Sequence, residues 1–198
     1  NFIELIKSWG DCNEEMKKVV LENAPGNAKY TSPKVQKEIL NIYANKVRNT
    51  IREEIGNAKY CILVDEALDE GNKEQMAIVL RFVDGEGYVR ERFFDIVEVV
   101  DTKALTLKSE ICTILARHDL QVQDMRGQGY DGASNMRGTW NGLQALFLKD
   151  CPYAYYVHCF AHQLQLALVA VSKDVREIWQ LYSNLSVIVN FLSASPKR

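Results

Sequence analysis

The sequence predicts a mixed α/β domain, a five-stranded sheet flanked by helices and preceded by a helical N-terminal segment. Three observations predict it. Apolar residues recur at helix spacing through residues 1–58, and short apolar runs of strand type begin at Tyr60. From Thr102 onward, helix-like and strand-like runs alternate, the signature of a layered α/β architecture. A chain of 198 residues can bury a sizeable core in one domain with an appendage. The expected division is a lead-in over 1–58 and the α/β domain over 59–198.

In the lead-in, Phe2, Leu5, Ile6 and Trp9 share a helix face, which Met16, Val19 and Val20 continue after a break at Gly10-Asp11. Pro25-Gly26 is a breaker. Ser32-Pro33 then supplies an N-cap and a proline at the first helical position. Val35, Ile39, Ile42, Tyr43, Val47, Ile51 and Ile55 form one stripe, predicting a helix over 33–55.

At Tyr60 the period changes. Residues 60–64 (YCILV) are continuously apolar, as in a strand buried on both faces, and Asp65 ends that run. Strands are expected over 76–83 and 88–99, joined as a hairpin by the Asp84-Gly85-Glu86-Gly87 turn. A helix over 102–118 follows, buried through Leu107, Ile111, Ile114 and Leu115. A weak fourth strand is read at 125–130, a helix at 139–149, a fifth strand at 154–159 and a long apolar helix from His162. Trp140, Leu143, Leu146 and Phe147 read as core, as do Trp9, Trp179 and Tyr182. This order is that of ribonuclease H-like folds, although the pattern also admits other α/β sheets.

Composition narrows the function classes. Hydrophobic residues make up 47% and charged residues 25%, an ordinary globular balance. No apolar run reaches the roughly 18 residues of a membrane span, and the first residues lack the pattern of a signal peptide. The chain starts without Met and stops at Ser195-Pro196-Lys197-Arg198, so a longer parent protein is expected. Cys12, Cys61, Cys112, Cys151 and Cys159 are odd in number and widely spaced, which points to reduced thiols in an intracellular compartment. A net charge of −2 gives no general support for DNA binding. Contact with DNA is then local or made by other segments.

Asp65 and Asp131 carry the sharpest chemical signal. Each follows a predicted strand, and Asp131 lies in the glycine-rich stretch 127–136 (GQGYDGASNM). If the first and fourth strands are neighbours, the two carboxylates converge at one sheet edge. Oxygen ligands so placed suit Mg²⁺ or Mn²⁺, and the glycines would let backbone approach a ligand or turn sharply. An aspartate at such a place is also a common turn or cap former, and that reading stays open for Asp131. Glu66, Asp69 and Glu70 read as solvated loop acids. Cys159 and His162 have C-x-x-H spacing, but a structural zinc needs four ligands, and His118 and Cys151 are the plausible additions. A buried thiol with a capping histidine is the plainer alternative; His158 reads as core or strand edge.

Four blocks in order, 60–69 (YCILVDEALD), 72–83 (NKEQMAIVLRFV), 126–142 (RGQGYDGASNMRGTWNG) and 156–168 (YVHCFAHQLQLAL), resemble the catalytic domain of hAT-superfamily DNA transposases. The likeness is strongest to transposon-derived proteins allied to zinc finger MYM-type protein 1, and 27–59 resembles the same proteins. The resemblance implies a ribonuclease H-like fold with Asp65 and Asp131 as the first two catalytic acids, holding Mg²⁺ or Mn²⁺. It implies metal-dependent cleavage of a DNA phosphodiester followed by strand transfer. It makes Cys159 and His162 part of the catalytic apparatus, ordering the site and the DNA near the scissile phosphate. A third acid, a Glu, is expected beyond Arg198 after a helical insertion, since Asp174 and Glu177 read as exposed helix positions. Partners would be DNA and a second copy, joined through a C-terminal segment not included here, and the location would be nuclear. Arg126, Arg137 and Lys149 are candidate phosphate contacts. The alternative function is a domesticated, catalytically inactive nuclear scaffold that binds DNA or protein.

Overall fold

The computed structural model describes residues 2–193. It has the expected fold: a mixed five-stranded sheet flanked by helices, with a helical N-terminal segment. The chain divides into two compact units between Glu54 and Ile55.

In the first unit, α1 (Phe2–Cys12) runs through Gly10 instead of breaking there. Lys17 and Val20 pack beside that turn, where even a Cβ on Gly10 would make only ordinary contact at 3.6 Å. The break falls at Asn13, whose side chain accepts from the amides of Glu15 and Met16 and starts α2 (Glu14–Lys17). The third helix, α3 (Pro33–Ile55), has the expected bounds. Ser32 Oγ accepts from the Val35 amide at 3.3 Å, and Pro33 lacks only an N–H that has no partner within the helix. Its apolar stripe is used only in part: Ile51 and Ile55 are buried, whereas Ile42, Tyr43 and Val47 are more than half exposed.

The second unit is built on β1 (Tyr60–Leu68), β2 (Glu74–Val83), β3 (Val89–Glu98), β4 (Met125–Tyr130) and β5 (Tyr155–His158). They lie in the order β3-β2-β1-β4-β5. The β1–β2 and β2–β3 pairs are antiparallel, and β1–β4 and β4–β5 are parallel. The apolar run that predicted β1 stops at Val64, yet β2 pairs the strand onward to Leu68↔Glu74. Asp69 closes that hairpin: its Oδ1 accepts from the amides of Gly71 and Lys73, so it is a turn builder and not a loosely solvated acid.

Alternate residues of β1 and β2 are buried, namely Tyr60, Ile62 and Val64, then Met76, Ile78, Leu80 and Phe82. Leu107, Ile111 and Leu115 of α4 (Ala104–Arg117) and Leu143 and Phe147 of α6 (Leu143–Asp150) are buried as well, and the two helices pack together. Each such side chain stabilises the fold by about 1.5–3 kcal/mol. Gln128, one of two polar residues buried among those described, is built into this core. Gln128 Nε2 donates to the carbonyls of Gln144 and Ala154, and Gln128 Oε1 accepts from the Tyr130 hydroxyl, tying β4 to α6 and to the start of β5.

Two predicted helices differ in extent. The helix read over 139–149 begins later, as α6, and is preceded by α5 (Ser134–Arg137) and a tight turn. The turn exists because Gly138 and Gly142 bring their main chains together; a Cβ on Gly142 would lie 2.3 Å from the Gly138 nitrogen. Trp140 sits on that turn and is 83% exposed, so it is not core. The long apolar helix is α7 (Phe160–Asp174) followed by α8 (Arg176–Ser193), separated where Val175 adopts an extended backbone. Trp9, Trp179 and Tyr182 are about half exposed, again contrary to the core reading. Among the described residues, no helix is long and apolar enough to cross a membrane.

Candidate active site

The two aspartates are positioned by a fork in the sheet. β4 pairs with β1 only as far as Leu63↔Gly129, while β2 stays paired with β1 beyond it, Asp65 opposite Ala77. Asp65 is thus inside β1 and not at its end, but it lies just past the last β1–β4 pair. Two residues beyond that pair come Asp65 on one strand and Asp131 after the other. Both acids thus stand at the same end of two neighbouring strands. Asp65 is exposed and Asp131 half-buried.

A cavity of about 680 Å³ opens on this sheet face, and Asp65, Asp131, Cys159 and His162 all line it. Its floor is apolar, with Leu63, Val79 and Val157; Arg81, which also pairs with Glu91 at 3.3 Å, adds a cation. The glycines of β4 line this cavity and make room for neighbouring side chains. A Cβ on Gly127 would stand 2.8 Å from Cys61 Sγ, and one on Gly129 2.6 Å from Leu63 Cδ2.

Asp131 is the turn former weighed for it: its Oδ1 accepts from the Ala133 amide at 3.0 Å, which makes an Asx turn, and the residue also lines the cavity. The Tyr156 hydroxyl donates to its main-chain carbonyl at 2.9 Å. Burial, then the neighbouring Asp131 charge, raises the Tyr156 pKa. Cys159 is the N-cap of α7, and its amide donates to the Tyr130 carbonyl at 2.8 Å, so the C-x-x-H turn is anchored to the strand that delivers Asp131. The Cys159 thiol is exposed. His162 is in the first turn of α7, its ring 5.8 Å from that of His158.

Three groups that the sequence did not single out adjoin these residues. Glu66 is half-buried and not a solvated loop acid. Burial raises its pKa, a hydrogen bond from Asn135 opposes this, and the charges of Glu74, Asp131 and Asp65 raise it further. The His158 imidazole packs over Gly132, where a Cβ would lie 3.0 Å from the ring, and its Nε2 is buried with no hydrogen-bond partner. Asn135 joins the Asp131 loop to Glu66. The chain order shows Glu66 beside Asp65, His158 beside Cys159 and Asn135 four residues after Asp131, but not their contacts.

Other candidates lie elsewhere. Arg126 is at the far end of β4 from Asp131, stacked on Tyr153 and donating to the Gln123 carbonyl, so it does not flank the acid pair. His118 packs edge-on against Phe94, and Cys151 is buried against the start of β4; neither joins Cys159 and His162. Asp174 and Glu177 are exposed.

Two carboxylates on one cavity wall are a partial ligand set of the kind Mg²⁺ uses, with water and phosphate oxygens completing the shell. Among the described residues, no group of three or more His, Cys, Asp or Glu side chains is placed to hold a metal together. The described residues thus offer two carboxylates at the cavity and no closed structural site.

A family model described as ZMYM1/FAM200, RNase-like domain (DUF4371) matches residues 1–142, which include both aspartates. Two proteins named 52 kDa repressor of the inhibitor of the protein kinase, from Homo sapiens and Mus musculus, are each 25% identical over 199 residues. Those alignments take in 100% of this chain and 26% of each relative, so the chain spans about a quarter of their length.

Proposed function

Since this chain belongs to the ZMYM1/FAM200 RNase-like domain family, a transposase-derived group, we propose that it is the metal-site half of a hAT-type DNA cleavage and strand-transfer domain. The supporting observation is that Asp65 and Asp131, each two residues past the last β1–β4 pair, line one cavity. On this reading the two carboxylates hold Mg²⁺ or Mn²⁺, which when bound neutralises phosphodiester charge and lowers the pKa of water. The chain's own residues then divide the remaining work. Cys159 fixes the turn that carries His162, and His162 donates a hydrogen bond to a non-bridging phosphate oxygen. Arg81 adds attraction for the DNA backbone at the cavity wall. The substrate is DNA and the whole protein is nuclear, with self-association through segments outside residues 1–198.

The test is Mn²⁺-dependent nicking of supercoiled plasmid by the polypeptide extended to the length of its relatives. Loss of nicking in both Asp65→Asn and Asp131→Asn is expected. Nicking untouched by Asp131→Asn would overturn the reading.

A second reading is a domesticated scaffold without chemistry, binding DNA or protein in the nucleus. It draws on the two-carboxylate ligand set and on the word repressor in the relatives' names. It predicts no nicking with Mg²⁺ or Mn²⁺, and partner binding that Asp131→Asn leaves unchanged.

A further inference from the structure

The acid pair is tied together from behind. Side chains alternate along β1, so Glu66 points to the sheet face opposite Asp65. There its Oε2 accepts from Asn135 Nδ2 at 3.4 Å, while its Oε1 is buried without a hydrogen-bond partner. The same Asn135 Nδ2 donates to the Thr102 carbonyl at 2.8 Å, in the connection between β3 and α4. Asn135 is in α5, directly after the Asx turn that Asp131 makes with Ala133. The Asp131 loop is therefore held at its start by Tyr156 and at its end by Asn135. Without Asn135, the loop keeps its start but loses its link to β1.

A half-buried carboxylate with one dry oxygen is destabilising in its own right. Its hydrogen bond joins the residue next to Asp65 with the loop that presents Asp131. We propose that Glu66 and Asn135 are positioning residues, setting the separation of the Asp65 and Asp131 carboxylates from the far side of the sheet. The proposal rests on the metal-site reading above. Groups of this kind, one shell out from the ligands, orient the ligands without touching the ion, and their loss typically weakens metal affinity tenfold or more.

The experiment compares the 198-residue chain with Glu66→Ala, Glu66→Gln and Asn135→Ala by two measurements. One is Mn²⁺ affinity, from the electron paramagnetic resonance signal of the free ion. The other is amide hydrogen exchange at residues 131–137. Glu66→Ala and Asn135→Ala should bind Mn²⁺ roughly tenfold more weakly, with faster exchange confined to 131–137. Glu66→Gln retains an oxygen that accepts from Asn135 and should remain near wild type in both. Wild-type affinity and exchange in Glu66→Ala would overturn the proposal, and so would faster exchange throughout the sheet, which marks a merely structural role. If the wild type binds Mn²⁺ no better than the Asp65→Asn, Asp131→Asn double variant, the metal-site reading fails. Exchange at 131–137 then still reports whether Glu66 and Asn135 hold the loop.

Discussion

The hydroxyl of Tyr156, on β5, donates to the main-chain carbonyl of Asp131 at 2.9 Å, so an edge strand sets the backbone of a candidate acid. Tyr156→Phe removes that donor and little else. The expected loss is about 1 kcal/mol of unfolding free energy in urea, with faster amide exchange near residue 131. An unchanged urea midpoint together with unchanged exchange would count against this role.

Gln128 is a polar hub inside the core. Gln128→Leu keeps the bulk but leaves the Gln144 and Ala154 carbonyls and the Tyr130 hydroxyl without their partner. A destabilisation on the order of 3 kcal/mol is expected in equilibrium denaturation, because buried unsatisfied groups lose their full hydration.

Two glycine variants should differ sharply. Gly142 has φ −70° and ψ 161°, angles open to alanine, so its own backbone poses no obstacle to substitution. The obstacle is the Gly138 main chain, 2.3 Å from an added Cβ, and Gly142→Ala should push the turn before α6 apart. Gly127→Ala meets the Cys61 thiol instead, and Cys61→Ala should largely restore it. Thermal melts of the two single variants and of the Gly127→Ala, Cys61→Ala double variant check the contrast.

Acid should loosen the connection before α4. Asp101 titrates at about 2 instead of 3.8, held down by hydrogen bonds from Thr106 and then from Lys103. A carboxyl whose pKa is lower folded than unfolded contributes stability above the unfolded value and loses it as pH falls through the folded value. That contribution is therefore complete above pH 4 and fades between about 4 and 2. Amide exchange around residues 101–106 should rise across that window in the wild type and be flat in Asp101→Asn.

The sequence carried the sheet well because its signals were strong and local. Strand β1 came from an apolar run, the β2–β3 hairpin from its glycine turn, and α3 from Ser32-Pro33 and a regular stripe. The placement of Asp65 and Asp131 at one end of neighbouring strands needed only β1 and β4 to be adjacent, which the strand order grants. What stayed hidden depended on distant partners. Only the pairing with β2 extends β1 past Val64, and only the approach of Gly138 to Gly142 delays the start of the helix expected over 139–149 and exposes Trp140. Glu66 looked solvated because nothing local shows that Asn135, 69 positions on, folds against it. Arg126 looked near the acids in the chain but stands at the other end of the same strand.

Leu63 fills the hollow above Gly129, so residues 66 positions apart in the chain share one small volume beside the acids. Such a pair drifts jointly through descent or not at all. In lineages where 129 gains a methyl, a trimmed side chain at 63 should accompany it, and substitution histories would carry the imprint of this contact with no structure in hand.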